Sequence, residues 1–107
     1  MDENIELIKK TLEPVFREHN VKSAILFGSF AKGTANEKSD FDMLVDSGLR
    51  GMKFCGLMED VRCALAETRL GDRELDMFDV RHIISGSPIE YEISKTGVCI
   101  YGDSLYT

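Results

Sequence analysis

Residues 21–45 read VKSAILFGSFAKGTANEKSDFDMLV, two apolar segments that flank a small-residue turn and an Asp-x-Asp pair. The apolar segments have the composition of strands. Asp40 and Asp42 are then expected on one face of a strand, because alternate side chains share a face and two residues rise roughly 6.6 Å. Two unneutralised carboxylates would repel each other. A divalent cation relieves that repulsion, and oxygen-only ligands favour Mg²⁺ or Mn²⁺.

Composition indicates one compact domain. The chain has 107 residues, of which 43% are apolar and 30% charged, enough for a single core. Because no apolar run approaches the roughly 20 residues of a membrane span and the N-terminus is acidic, we expect a cytoplasmic protein without membrane contact. Cys55, Cys63 and Cys99 lack a C-x-x-C spacing, so we expect reduced and mostly buried thiols.

The net charge of −6 argues against direct binding to nucleic acid. Such binding requires clustered Lys and Arg to release counterions from the phosphates. A nucleoside triphosphate bridged to carboxylates by Mg²⁺ remains compatible with this charge, since the ion reverses the local sign.

Apolar residues recur with the spacing of an amphipathic helix over residues 4–19 and 49–69, which predicts two helices. Pro14 is expected to kink the first helix or to split it, and Gly71 to stop the second. A short third helix is expected to begin with a capping box, Ser87-Pro88-Ile89-Glu90, and to run to residue 95 before stopping at residue 97.

Strands are expected at residues 21–27, around the Asp-x-Asp pair to residue 45, at 74–80 and at 98–101. The connection between the first two strands is long enough for one short helical turn. This order predicts an α/β fold, a small mixed β-sheet flanked by helices. The residues expected to fill the core or to pack on the short helix include Met43, Met52, Met58, Met77 and Tyr91.

The glycine-containing turn is not a P-loop. Gly28 and Gly33 have the P-loop spacing, but Lys32 precedes the second glycine, whereas a P-loop has Lys and Ser or Thr after it. We expect a different phosphate cradle, in which Gly28 permits close backbone approach, Ser29 offers a hydroxyl and an amide, and the following helical turn presents free N–H groups.

Two motifs together resemble the signature of the DNA polymerase beta-like nucleotidyltransferase superfamily. GSFAKG at residues 28–33 and SDFD at residues 39–42 are most similar to its smallest members, the minimal nucleotidyltransferase (MNT) domains. The resemblance is detailed over residues 21–45 and looser elsewhere, but it spans nearly the whole chain. It implies a single MNT domain over residues 1–107.

The resemblance implies a third carboxylate on a neighbouring strand, and the sequence offers Asp76 and Asp79. If Leu75 and Met77 face the core, Asp76 lies on the opposite face, while Asp79 falls on the core side near the strand end. An acid just before an apolar pair, as in Asp76-Met77-Phe78, also matches the family pattern. We therefore favour Asp76 and expect Asp79 to be a strand-end or turn residue.

The implied chemistry is transfer of a nucleoside monophosphate from a triphosphate to a hydroxyl, with release of pyrophosphate. Asp40 and Asp42 would hold one Mg²⁺ and, together with Asp76, a second roughly 3.5 to 4 Å away. Asp76 can also act as general base. Gly28 and Ser29 would hold the β- and γ-phosphates, and Lys32 is expected to be a solvated surface residue outside this site.

The resemblance also implies a partner. Free-standing MNT proteins, including MntA-type antitoxins, are typically encoded with a HEPN-domain toxin, a helical ribonuclease. By analogy we expect this protein to use Mg-ATP to adenylylate a tyrosine of such a toxin and to form a hetero-oligomer with it. Two alternatives remain: an antitoxin that neutralises its partner by binding alone, and a transferase that modifies a small-molecule hydroxyl. The sequence leaves open the nucleotide preference and the acceptor residue.

Overall fold

The structure, a computed structural model, describes residues 2–102. The elements in chain order are α1 Glu3–Glu18, β1 Ser23–Phe27, α2 Ser29–Lys32, β2 Phe41–Asp46, α3 Met52–Ala66, β3 Leu75–Asp79, a 3-10 turn Val80–His82, α4 Pro88–Thr96 and β4 Val98–Gly102. Each predicted element is present, with bounds that differ from the predicted ones by one to three residues. The predicted single turn of helix between the first two strands is α2.

The strands of the described residues form one sheet in the order β3-β2-β1-β4. β1 pairs antiparallel with β2 and with β4, whereas β2 and β3 are parallel. The predicted small mixed sheet is therefore confirmed. Within residues 2–102, no helix combines the length and the apolarity that a membrane crossing requires.

The sheet is covered on both faces. The larger core lies between one face, α1 and α3, and it includes Phe41, Met43 and Val45 from alternate positions of β2. The smaller core lies on the other face, where Leu44 packs with Ile93 of α4. Because β1 and β2 contribute to both cores, they are the central strands, and all five residues of β1 are buried.

Pro14 does not split α1, which is continuous from Glu3 to Glu18. A proline inside a helix costs about 3 kcal/mol, through the lost N–H and a steric clash with the preceding turn. The apolar stripe of this helix buries Ile5, Ile8, Leu12 and Phe16. Burial of such side chains stabilises by about 1.5–3 kcal/mol each, which outweighs the cost of the proline.

The second long helix ends earlier than predicted. Its last residue is Ala66, because the Thr68 N–H and hydroxyl both donate to the Leu65 carbonyl and turn the chain. Gly71, at φ 79°, belongs to a later turn. At α4 the Ser87 hydroxyl accepts from the Glu90 N–H as predicted, although the Glu90 carboxylate accepts from Gly86 N–H instead.

Several side chains predicted to be buried lie on the surface. Cys55 and Cys63 are exposed and Cys99 is partly exposed, all as free thiols. Both exposed cysteines lie on the side of α3 opposite its buried stripe. Met52 begins that helix and is 91% exposed, and Tyr91 on α4 is 65% exposed. The prediction that these residues pack inside was wrong.

Candidate active site

The sheet register brings the glycine turn and two of the predicted acids together. Asp42 on β2 lies directly beside Asp76 on β3 and directly opposite Phe27, the last residue of β1. Gly28 follows Phe27, so the turn leaves the sheet next to Asp42. Successive side chains of a strand point to opposite faces of the sheet, and Met43 and Met77 pack in the larger core. The neighbouring carboxylates of Asp42 and Asp76 therefore lie on the face that carries the smaller core.

Asp42 lies in an environment that disfavours its charge. Partial burial has the largest effect, followed by the charge of Asp76, a hydrogen bond with Asp76, and the charges of Asp40 and Glu92. Together they raise the pKa of Asp42 from 3.8 to about 6. Four carboxylates therefore share one negative region, whose repulsion a bound cation would relieve.

Two features of the site require glycine at position 28. Its backbone has φ 76° and ψ −154°, a conformation that is essentially restricted to glycine. A Cβ at this position would overlap Asp42 Oδ2 and would come within 3.2 Å of Asp42 Cγ. The absence of a side chain thus lets the Asp42 carboxylate pack directly against the Gly28 backbone.

Ser29 begins α2, a single turn of helix closed by the Lys32 N–H donating to the Gly28 carbonyl at 3.1 Å. Phe30 anchors this turn in the larger core, where its ring stacks on Phe41 with centroids 4.7 Å apart. The turn that follows β1 and the strand that carries Asp42 are therefore packed against each other.

Asp40 immediately precedes β2 and is held by a loop that Arg73 braces. The guanidinium donates to the carbonyls of Asn36, Ser39 and Leu70 at 2.7 to 2.8 Å, and it also stacks over the Phe30 ring. Sequence reasoning missed Arg73. A single arginine before a strand carries no motif, and its contacts reach 34 and 37 residues along the chain.

Asp79 lies away from Asp42. It is 6% exposed, it pairs in register with Val45, and its carboxylate accepts hydrogen bonds from the Arg81 side chain and backbone. These bonds to Arg81 hold the pKa of Asp79 below its usual value. As predicted, Asp79 ends the strand, where it caps the 3-10 turn.

Lys32 is nearer to the acidic side chains than predicted. Its Nζ lies 3.8 Å from Oε1 of Glu92 on α4, and both side chains are about half exposed. Glu92 is the carboxylate that sequence reasoning did not connect with the site, since it is separated from Asp42 by 50 residues of chain.

The donors fit a hard divalent cation in type but not as a complete ligand set. Asp42 and Asp76 are oxygen donors side by side, and the Asp42 carboxylate lies against the backbone of Gly28. Among residues 2–102, however, no three His, Cys, Asp or Glu side chains are grouped so that they could hold a metal ion by themselves. The three-acid metal site with Asp40 remains a prediction.

A family model described as "Polymerase beta, Nucleotidyltransferase" matches residues 10–105 of this chain. The chain belongs to this family. The fold and the Gly-Ser and Asp-x-Asp motifs of this nucleotidyltransferase domain agree with the resemblance inferred from residues 28–42.

One curated relative of this nucleotidyltransferase domain comes from Methanocaldococcus jannaschii and is named "Putative protein adenylyltransferase MJ0435". It is 44% identical over 45 residues, which are 42% of this chain and 48% of that protein. The matched segment thus spans about half the length of the relative.

Solved structures of similar fold include toxin–antitoxin complexes. A chain of one such complex with AMP-PNP has a TM-score of 0.67 at 23% identity, over 90% of this chain and 74% of that chain. A chain of the complex between a tri-AMPylated Shewanella oneidensis HEPN toxin and an MNT antitoxin has a TM-score of 0.62 at 20% identity, over 92% and 73%. At these identities the similarity establishes the fold.

Proposed function

We propose that this protein transfers AMP from Mg-ATP to a hydroxyl of a partner protein, a tyrosine of a HEPN-domain toxin, and thereby acts as its antitoxin. The observation that carries the proposal is the adjacency of Asp42 and Asp76, with the Asp42 carboxylate lying against the side-chain-free backbone of Gly28. A glycine backbone lets a phosphate chain approach closely, and two neighbouring carboxylates can hold its counterion.

Asp42 and Asp76, assisted by Asp40, are the residues that would hold magnesium. An ion held there would neutralise triphosphate charge and lower the pKa of the acceptor hydroxyl. Asp42 would then be ionised, because a cation favours the charged form of a carboxylate whose pKa is otherwise about 6.

Gly28 and Ser29 fix the triphosphate. The Gly28 backbone allows close approach, and Ser29 adds a hydroxyl and an amide to the phosphate oxygens. Held in this way, the pyrophosphate leaves in line with the attacking hydroxyl. The bond between the α-phosphorus and the bridging oxygen breaks as the bond to the tyrosine oxygen forms.

Asp76 is suited to accept the proton of the attacking hydroxyl. Its side chain is exposed, unlike that of Asp79, so an acceptor can reach it from solvent. Asp79 is already engaged with Arg81 and cannot take this role without losing the ion pair that neutralises its buried carboxylate.

The choice of a protein acceptor rests on the relatives. The curated relative carries the name of a protein adenylyltransferase, and structures of similar fold contain an AMPylated HEPN toxin with an MNT antitoxin. On this basis we propose ATP as nucleotide, a hetero-oligomer with the toxin as the working assembly, residues 1–107 as one MNT domain and the cytoplasm as its location.

Transfer is tested with ATP labelled on the α-phosphate, Mg²⁺ and a candidate HEPN-domain partner protein. We expect label on the toxin and none when the label is on the γ-phosphate, because that phosphate leaves with pyrophosphate. Asp42→Asn should abolish labelling. Asp46→Asn, the same change at the other end of β2, is the matched control and should label normally.

Three outcomes separate the alternatives. If the Asp42→Asn variant neutralises the toxin although the toxin acquires no label, the protein acts as an antitoxin by binding alone. Label that enters a small hydroxyl compound but not the toxin supports a small-molecule transferase. Label from γ-phosphate on the toxin would contradict adenylyl transfer, because it would report phosphorylation instead.

A further inference from the structure

The outer edge of β3 presents backbone groups that no strand of the described residues pairs. β3 lies at the end of the sheet and its strand neighbour is β2. The Phe41 N–H donates to the Glu74 carbonyl across the parallel pair. Since backbone groups alternate in direction along a strand, those of Leu75, Met77 and Asp79 point away from β2. An edge of this kind can accept a further strand.

A cleft of about 690 Å³ adjoins this edge. Its apolar lining comprises Leu49 and Phe54 together with Met77 and Phe78 of β3. Met52, which follows the lining residue Gly51 in sequence, is 91% exposed. The cleft therefore offers apolar space for side chains of a chain laid along β3.

The rim of the cleft is basic although the whole chain has a net charge of −6. Arg50, Arg81 and His82 line it. Arg81 is fixed in place, because it donates to the Asp79 carboxylate and, from Nη2, to the Leu49 carbonyl at 3.0 Å. Asp79 offsets the charge of Arg81, which leaves Arg50 as the cation of the lining without an acidic partner among the lining residues and His82 as a further hydrogen-bonding side chain. This charge favours an acidic occupant.

We propose that the outer edge of β3 and the adjoining cleft bind an extended, acidic segment of a partner protein, which pairs with β3 as an additional strand. Main-chain hydrogen bonds to Met77 and Asp79 supply the pairing, apolar side chains of the segment enter the cleft, and its acidic side chains lie against Arg50 and His82. This is the β-strand addition mode of peptide recognition.

Docking at this edge has a consequence for the acidic site. A strand added to β3 lies about 4.8 Å away, so one of its side chains would stand beside Asp76 on the same face. An acceptor hydroxyl on that segment would thus approach the carboxylate pair. This consequence rests on the proposed function, whereas docking itself does not.

The test uses a peptide of neutral core and acidic ends, acetyl-Glu-Val-Thr-Val-Glu-amide, titrated into the isotope-labelled protein without nucleotide. Either orientation of this peptide brings one glutamate to the basic rim. We expect saturable NMR shift changes at the amides of Met77 and Asp79. The same peptide with lysine at both ends should bind at least about tenfold more weakly.

Two controls separate strand addition from other binding. N-methylation of alternate residues removes main-chain donors and should abolish the shift changes at β3. Arg50→Glu should weaken binding about fivefold, whereas Lys53→Glu should change it less than about twofold. Arg50 and Lys53 are both exposed, but of these two only Arg50 lines the cleft.

Equal binding of the lysine peptide would overturn the proposal, as would binding that survives N-methylation or shift changes confined to other surfaces. A second copy of this chain on the edge is a further contradicting result. It would appear as a dimer in sedimentation equilibrium that the acidic peptide does not dissociate. Transfer activity can persist in all of these cases. Failure of the docking proposal is therefore distinguishable from failure of the proposed function.

Discussion

Asp42→Asn is expected to stabilise the metal-free protein at neutral and alkaline pH while destroying its activity. The pKa of Asp42 is about 6 in the folded chain against 3.8 as the ordinary value. That rise corresponds to roughly 3 kcal/mol if taken in full. Because the side chain is only partly buried, solvent screens the effect, and we expect about half, roughly 1.5 kcal/mol, at pH 8.

The pH dependence follows from the direction of the shift. A raised folded-state pKa means that the folded chain holds the proton more tightly than the unfolded chain. The stabilisation from protonated Asp42 is complete below pH 3.8 and is lost as pH rises through about 6. Asparagine cannot ionise, so its advantage over aspartate should be largest at pH 8 and below about 0.5 kcal/mol at pH 4.

Urea unfolding in EDTA at both pH values measures this difference. Asp46→Asn, at the other end of the same strand, is the control and should give no gain at pH 8. Adding Mg²⁺ should reverse the order, because the ion stabilises the wild type by binding its folded state but not the variant. An Asp42→Asn protein that is equally destabilised at both pH values would refute the electrostatic reasoning.

Further changes test the other parts of the site. Gly28→Ala should cost about 1–3 kcal/mol of stability and abolish binding of Mg-AMP-PNP in calorimetry, because the new Cβ meets Asp42 at a strained backbone. Arg73→Met should cost about 2–3 kcal/mol in urea unfolding through three lost carbonyl contacts, whereas Arg69→Met on the surface should be neutral. Asp76→Asn should reduce labelling of the toxin at least about 100-fold. Asp79→Asn should retain labelling and lose stability instead.

Local patterns predicted the parts of the site that are close in sequence. The Gly28-Ser29 turn and the Asp-x-Asp pair fall within 15 residues, and period-two alternation set the face of Asp42. The same alternation separated Asp76 from Asp79, which the structure places in different surroundings. Such inferences succeed because they depend only on strand geometry and on the order of elements.

Contacts across long stretches of chain were not predictable. Arg73 braces a loop 34 to 37 residues away, and Glu92 reaches the acidic region from α4. Neither side chain carries a motif, and their positions depend on how whole elements pack. The exposure of Cys55 and Met52 was not predictable either. Many apolar side chains remain on protein surfaces, and the packing of whole elements decides which ones are buried.

The most direct test of the proposed site is a crystal of the protein grown with Mn²⁺ and a non-hydrolysable ATP analogue. Anomalous scattering locates the manganese without assumptions about its ligands. We expect a peak between the carboxylates of Asp42 and Asp76, with the β- and γ-phosphates against Gly28 and Ser29. A nucleotide bound elsewhere, or manganese that contacts neither carboxylate, would contradict the proposed chemistry.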